Sequence, residues 1–289
     1  MKLSLGMPKG SLEESTFSLF RKAGIHIRKS ERSYYPTSDD PDLDLIIMRP
    51  QEIPRYVEEG IIDAGITGQD WTIENNAKVV EVIELQYSKV SRRKCKWVLA
   101  VPEDSRFKKP EDLRGKRIAT ELVETTKRYF SKKKIPVKVE FSWGATEAKP
   151  PRLADAIVDI TETGSSLRAN RLRIIDVLME TTTVLVANNK AWKNSEKRKK
   201  LENLSMLLQG TLDAENFVGL KCNVKESDLG NVLKILPALH NPTISNLSDK
   251  GWYAVETMLH FQETKHIIPQ LKRAGASGIV EYPVSKVIP

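Results

Sequence analysis

Residues 43–71, LDLIIMRPQEIPRYVEEGIIDAGITGQDW, decide the architecture. Leu43–Met48 is an apolar run of strand length, Ile53–Glu59 has helical spacing, and Ile62–Thr67 is a second apolar run closed by Gly68. Strand, helix and strand in so short a stretch form a βαβ unit, which implies a parallel sheet. Upstream, Lys2–Met7 reads as another strand, followed by a Gly/Pro turn and a helix from about Leu12 to Ala23. Ser11 with Glu14 has the spacing of a capping box, and Gly24 suits the position after the last turn.

The alternation restarts downstream. Strands are expected at Trp97–Val101, Arg117–Thr120, Val137–Phe141, Ala156–Ile160 and Thr183–Ala187, and helices at Thr125–Lys133 and, around its prolines, Thr146–Ala154. The reading is two α/β lobes, residues 1–90 plus 184–208 and residues 91–183, with Asn194–Leu204 a charged, solvated helix. From residue 211 to 289 the order changes. Strand Phe217–Val224, helix Asp228–Leu236, strands Thr243–Leu247 and Tyr253–His260, helix Thr264–Arg273 and strand Gly278–Tyr282 give the βαββαβ order of a ferredoxin-like domain. A regulatory or oligomerising module and a structural appendage both fit that order.

Composition sets the outer bounds. The chain has 289 residues, 40% hydrophobic and 29% charged, enough to bury a core and too apolar for disorder. Lys plus Arg (46) exceeds Asp plus Glu (38) by 8, so the partner is expected to be anionic: nucleic acid, a membrane surface or a small molecule. MKLSLGMPKG lacks the apolar core of a signal peptide, no run is long enough to span a bilayer, and Cys95 and Cys222 make no C-x-x-C pair. A cytoplasmic protein without disulfides or a zinc site is expected.

One loop carries the strongest chemical signal. In Ala156–Leu172, AIVDITETGSSLRANRL, an apolar strand runs into Thr161, Glu162, Thr163, Gly164, Ser165 and Ser166, and then into a helix start. Backbone N–H groups and hydroxyls at such a turn suit a phosphate, Gly164 admits close approach, and Asp155 and Asp159 suit ribose hydroxyls or an Mg²⁺ shell. An ordinary strand-to-helix turn with capping hydroxyls is the alternative. Lys9, Gly10 and Ser11 join the first strand to its helix, with Arg32 and Arg49 near strand ends of the same lobe as candidate phosphate cations. Gly68 turns into Asp70, which either caps a short helix or receives a base or ribose hydroxyl. Glu147, in the Gly144–Glu147 turn, is either functional or a first-turn glutamate favoured by the helix dipole.

Taken in order, PKGSLEES, IMRPQEIPRYVEEGIIDAGITGQDW, DLRGKRIAT, KRYF, GATE and LADAIVDITETGSSLRANRLRIID resemble the long form of ATP phosphoribosyltransferase, and LPALHNPTISNL, GWYAVETML and AGASGIV resemble its histidine-binding domain. The resemblance implies an α/β, two-lobe periplasmic-binding-protein-like (type II) catalytic core plus a C-terminal ferredoxin-like (ACT-like) βαββαβ domain. It implies transfer of the 5-phosphoribosyl group from phosphoribosyl pyrophosphate to N1 of ATP, releasing pyrophosphate, as the first step of histidine biosynthesis under feedback inhibition by histidine. Mg²⁺ is expected as cofactor, bound mainly through substrate and without protein metal ligands. By motif, Asp155, Asp159, Thr161, Glu162, Thr163, Gly164, Ser165 and Ser166 would hold phosphoribosyl pyrophosphate, and Lys9, Gly10, Ser11, Arg32, Arg49, Gly68, Asp70 and Glu147 would hold ATP. Asn223, Leu239, Thr243, Ala276 and Gly278 would hold histidine, although Asn223 stands where relatives can carry an acid. Glu162 puts a negative charge inside a phosphate loop. Neither nucleic acid nor membrane is required as partner, and a homo-oligomer is expected, a hexamer with a dimer as the alternative. A periplasmic solute-binding protein shares the two-lobe pattern and would need a signal peptide. A transcription-regulator effector domain would need a preceding helix-turn-helix.

Overall fold

The computed structural model describes residues 2–30, 32–87, 94–236 and 241–288. The chain divides into two units, residues 1–21 with 25–205 and residues 22–24 with 206–289.

In the first unit, β1 (Leu3–Pro8) leads to a one-turn 3-10 helix at Gly10–Leu12 and then to α1 (Glu13–Ala23). Ser11 therefore sits within the 3-10 turn and not at a capping position. Gly24, at φ +93°, ends α1, and the Ile25 N–H donates to the Phe20 carbonyl at 2.9 Å, as a C-terminal glycine permits. A two-residue pair, β2 (Ile27–Arg28) and β3 (Thr37–Ser38), precedes β4 (Leu43–Met48), α2 (Ile53–Glu58), β5 (Ala64–Gly68), α3 (Gln69–Glu74) and β6 (Val80–Leu85). β1 lies parallel between β4 and β5, as the βαβ reading requires. Leu3, Leu5 and Met7 are almost fully buried in the middle of that sheet.

The chain then builds β7 (Cys95–Pro102), β8 (Arg117–Thr120), α4 (Val123–Lys132), β9 (Lys138–Phe141), β10 (Ala156–Thr161), α5 (Ser165–Ala169) and β11 (Leu172–Thr181). Their sheet has the order β11-β7-β10-β8-β9. One core, with Trp97, Leu99, Val101, Ile118, Phe130 and Val158, packs against it. After β11 the chain turns at Thr182 into β12 (Thr183–Ala187), which enters the first sheet antiparallel between β5 and β6. The first sheet is thus β4-β1-β5-β12-β6, with its fourth position filled by a strand that follows the whole second sheet in sequence. That insertion defines the two-lobe, type II periplasmic-binding-protein-like core. α6 (Asn189–Lys193) and α7 (Ser195–Ala214) follow.

Three differences from the sequence reading have physical causes. β11 was not foreseen, because bulges between Ile174 and Asp176 and between Val177 and Met179 break the two-residue alternation that marks a strand. β6 is also absent from the sequence reading: VEVIEL has the alternation, but its two glutamates give it a weaker apolar signal than β1 or β4. The expected helix at Thr146–Ala154 is only a 3-10 turn at Thr146–Ala148, since Pro150 and Pro151 lack the N–H groups a further turn needs.

The second unit contains β13 (Phe217–Lys225), α8 (Glu226–Ile235), β14 (Thr243–Asn246), β15 (Trp252–His260), α9 (Phe261–Arg273) and β16 (Ser277–Pro283). Its antiparallel sheet has the order β14-β15-β13-β16, which is ferredoxin-like. Leu220, Cys222, Val224, Val232, Val255 and Leu271 form its core. Among the described residues, no helix is long and apolar enough to cross a membrane.

Candidate active site

In the core of the first unit, a cleft of about 710 Å³ opens where β5, β8 and β10 end and where the chain crosses between sheets. Ligands of open α/β sheets bind at such carboxyl ends. One wall is the Thr161–Ser166 loop, of which Thr161, Glu162, Thr163, Ser165 and Ser166 line the cleft. Gly164 takes φ +74°, a conformation that strains any side chain, and an added Cβ would lie 2.8 Å from Arg168 Nη1. The Gly164 N–H donates to Thr161 Oγ1 at 2.8 Å, Thr163 Oγ1 donates to Ser165 Oγ at 3.0 Å, and Arg168 Nη1 donates to the Thr163 carbonyl at 3.0 Å. The loop is held in shape from within, while the hydroxyls of Thr163, Ser165 and Ser166 stay exposed. The helix behind it, Ser165–Ala169, is one turn, so N–H and hydroxyl donors rather than a long-helix dipole make this wall.

The opposite wall comes from the ends of the first sheet's strands and the turns and helices that follow them: Leu12, Pro50, Gln51, Gly68, Asp70 and Trp71. Asp70 is only 2% exposed. Its carboxylate accepts the Trp97 indole N–H at 2.6 Å, and its own N–H donates to Thr181 Oγ1 at 3.1 Å. Burial pushes the Asp70 carboxyl above its ordinary value, with the donors opposing that shift. A Cβ on Gly68 would come within 2.0 Å of Asp70 Oδ1, so the pose requires glycine there. Trp71 and Trp97 meet edge to face at 6.1 Å.

A third group is acidic. Asp159, at the end of β10, is pushed up to about 7, first by burial and then by Glu147 and Glu121; the Ile160 N–H opposes this. Glu121 and Asp159 line the cleft, and Glu147 acts on Asp159 electrostatically from the Thr146–Ala148 turn. Burial, Glu162 and Asp70 together raise the Cys95 thiol, which therefore stays protonated. Because the Asp159 carboxyl titrates higher folded than unfolded, its penalty is absent below about pH 4 and full above about pH 7. Asp159→Asn is expected to stabilise the ligand-free protein by on the order of 2 kcal/mol at pH 8 and to add nothing near pH 3.5. Chemical denaturation at both pH values checks this, and an equal gain at the two would contradict it.

Several sequence candidates lie elsewhere. Asp155 immediately precedes β10, at the end away from the cleft: its carboxylate accepts the Arg117 N–H at 2.9 Å and pairs with Lys116 at 3.4 Å, so it ties the chain to β8 and does not line the cleft. Lys9 donates to the Tyr34 hydroxyl at 2.8 Å, Gly10 faces a separate depression beside α1, and neither lines the cleft. Arg32 and Arg49 are exposed and also absent from its walls, so among the described residues no Lys or Arg lines it. Ser11, Gly68, Asp70, Asp159 and the loop are brought together. The sequence reading missed Trp97, Tyr87, Glu121, Cys95 and Thr181–Thr183, which also line the cleft. The Thr181–Thr183 run directly before a predicted strand was the available signal.

In the second unit, Ser277 Oγ donates to the Asn223 carbonyl at 3.3 Å, and Gly278, at φ +55°, lies against the Asn223 amide. Ala276 is buried beside them. Thr243, on β14, pairs with Glu256 of β15, and β15 separates β14 from β13, so Thr243 is not joined to Asn223. Leu239 lies outside the described residues.

Known proteins match this organisation. The model of the HisG family, ATP phosphoribosyltransferase, matches residues 49–210, and that of the HisG C-terminal domain matches residues 214–286. The ATP phosphoribosyltransferase of Thermodesulfovibrio yellowstonii is 57% identical over 99% of this chain and 98% of its own. That of Solibacter usitatus is 57% identical over 100% of both chains. Among solved structures, the ATP phosphoribosyl transferase (HisG:HisZ) complex from Thermotoga maritima aligns with a TM-score of 0.61 at 30% identity, covering 72% of this chain and 98% of that one. Carrying both family domains and more than half its residues in common with full-length relatives, this chain belongs to the ATP phosphoribosyltransferase family, whose reaction is the first step of histidine biosynthesis.

Proposed function

We propose that the cleft binds phosphoribosyl pyrophosphate on the Thr161–Ser166 wall and ATP on the Leu12, Pro50, Asp70 and Trp71 wall. Adenine N1 then bonds to the anomeric carbon with inversion, while the bond to pyrophosphate breaks and its electron pair leaves with that group. The observation that carries this reading is the pairing of two unlike walls in one cleft: a hydroxyl-rich loop facing an apolar, aromatic wall with one buried carboxylate. The loop N–H groups and hydroxyls suit a ribose 5-phosphate, and holding both partners across the cleft supplies proximity. Asp159 suits the ribose hydroxyls or the positive charge that builds on the anomeric carbon.

The donor set also bears on Mg²⁺. Among the described residues, no group of three or more His, Cys, Asp or Glu side chains could hold a metal ion. Hydroxyls with the Asp159 and Glu121 carboxylates suit an ion that arrives on pyrophosphate with much of its water shell. When bound, Mg²⁺ supplies charge neutralisation to the departing pyrophosphate.

Regulation is read from the second unit. Asn223, Ala276 and Gly278 form one polar corner at the β13–β16 edge, and histidine is proposed to bind there and inhibit. An amide at position 223 offers no full charge to the amino group of histidine, so weak inhibition is expected. A hexamer in the inhibited state, with a dimer as the alternative, goes with the long form. The test is to mix protein, ATP, phosphoribosyl pyrophosphate and Mg²⁺ and follow phosphoribosyl-ATP by ultraviolet absorbance, with and without histidine. Product that requires both substrates, formed more slowly with histidine, is the expected result. Absence of product would refute the catalytic reading, and an unchanged rate with saturating histidine would refute the regulatory one.

A further inference from the structure

The proposed reaction leaves unexplained how the cleft selects adenine and what stabilises the base as it gains charge. Asp70 addresses both. It is a carboxylate 2% exposed, yet it lines the cleft on the apolar wall with Leu12, Pro50 and Trp71. The same wall carries Gln51, whose buried Oε1 has no hydrogen-bond partner, so an apolar surface with two buried acceptors, the Asp70 carboxylate and the Gln51 amide oxygen, fits a purine bearing an amino group. Its position is over-determined: Trp97 Nε1 binds one oxygen at 2.6 Å, and the missing side chain of Gly68 makes room for the other. The titratable groups around it are Cys95 on β7, Tyr87 beyond β6, and Glu162, Glu121 and Asp159 on the other walls. Among the described residues no cation lines the cleft to neutralise it. Its charge, held in a buried place only by neutral donors (the Trp97 indole, the Thr181 hydroxyl and backbone N–H groups), is available to an incoming donor or cation.

We propose that the Asp70 carboxylate reads the 6-amino group of ATP and stabilises the positive charge that spreads over N1, C6 and N6 as N1 bonds to the anomeric carbon, with Trp97 as its positioning residue. The inference rests on the assignment of ATP to this wall. No proton need leave in that step: the N6–H stays bonded and is shared with Asp70, and pyrophosphate carries off the electron pair of the broken bond. The hydrogen bond is neutral-to-charged in the ground state and charge-to-charge at the transition state, so it favours the latter. A base with oxygen at C6 would set acceptor against acceptor in a buried place and be rejected.

Asp70→Asn keeps size and shape. Its amide oxygen accepts the Trp97 indole, and its amide N–H faces the base. Expected results are a fall in kcat of about 100-fold, the loss typical of one transition-state electrostatic partner. The KM for phosphoribosyl pyrophosphate stays within about twofold, and calorimetry shows a change in nucleotide preference from ATP toward inosine triphosphate of about tenfold. Trp97→Phe keeps the carboxylate but removes its indole donor, so the acid limb of the kcat profile moves to higher pH. An Asp70→Asn protein that still prefers ATP over inosine triphosphate as the wild type does would overturn the proposal. If that variant does not fold, as judged by circular dichroism, Trp97→Phe decides: an unmoved acid limb overturns it. Calorimetry needs no turnover, so failure of the catalytic reading, seen as no product from the wild type, is distinguishable from failure at Asp70.

Discussion

Replacing Thr163 and Ser166 together by alanine is expected to raise the KM for phosphoribosyl pyrophosphate by at least about tenfold, since each hydroxyl lost from a charged phosphate costs roughly 1.5–3 kcal/mol. Both side chains are exposed on the cleft wall, so little stability is lost with them. Thr163 Oγ1 is also bonded to Ser165 Oγ at 3.0 Å, and that internal bond goes too. The bonds from the Gly164 N–H to Thr161 and from Arg168 to the Thr163 carbonyl remain, so the loop keeps its shape and loses mainly donors. Steady-state kinetics with ATP saturating measures the effect. An unchanged KM would place the phosphate elsewhere.

Gly68→Ala is the second large effect. The new Cβ would lie 2.0 Å from Asp70 Oδ1 and 3.1 Å from its carboxyl carbon, far inside contact distance. Because Asp70 is buried and bound to Trp97, it cannot swing into solvent without breaking the 2.6 Å bond. Depriving that buried carboxylate of its indole donor costs about 1–3 kcal/mol. The expected result is a rise in the KM for ATP of about tenfold or more, together with a change in tryptophan fluorescence as the Trp97 indole loses its partner. A variant with wild-type kinetics and fluorescence would show that the close fit at Gly68 does not matter.

The legible parts of this molecule were local ones. Arg117–Thr120 and Thr183–Ala187 are strands at the expected bounds because a short β-branched or apolar run between polar residues has no other good use. The loop at Thr161–Ser166 was legible because glycine, hydroxyls and a strand end stand together in sequence. The apolar wall was much less so. Its central contact joins Asp70 to Trp97 across 27 positions, and Asp70 to Thr181 across 111. Nothing local in Trp97 separates an indole that binds a carboxylate from one that merely fills a core. The positions of the cations were not legible for the converse reason: Lys9, Arg32 and Arg49 are absent from the cleft lining although they sit close in sequence to strand ends, because side-chain direction depends on packing. Lys9 turns to Tyr34 instead. Asp155 immediately precedes β10 and Asp159 lies within it, four positions on, yet only the second reaches the cleft, because the strand carries the chain from one end of the sheet toward the other.

The central claim is that one cleft holds two substrates on two separate walls. Its most direct test is a crossed KM measurement: wild type, Thr163→Ala with Ser166→Ala, and Gly68→Ala, each assayed for phosphoribosyl-ATP while ATP and phosphoribosyl pyrophosphate are varied in turn. The account predicts a diagonal result, with the loop variant raising only the KM for phosphoribosyl pyrophosphate and the Gly68 variant only that for ATP. Both variants raising both constants alike, or the two effects exchanged, would contradict it.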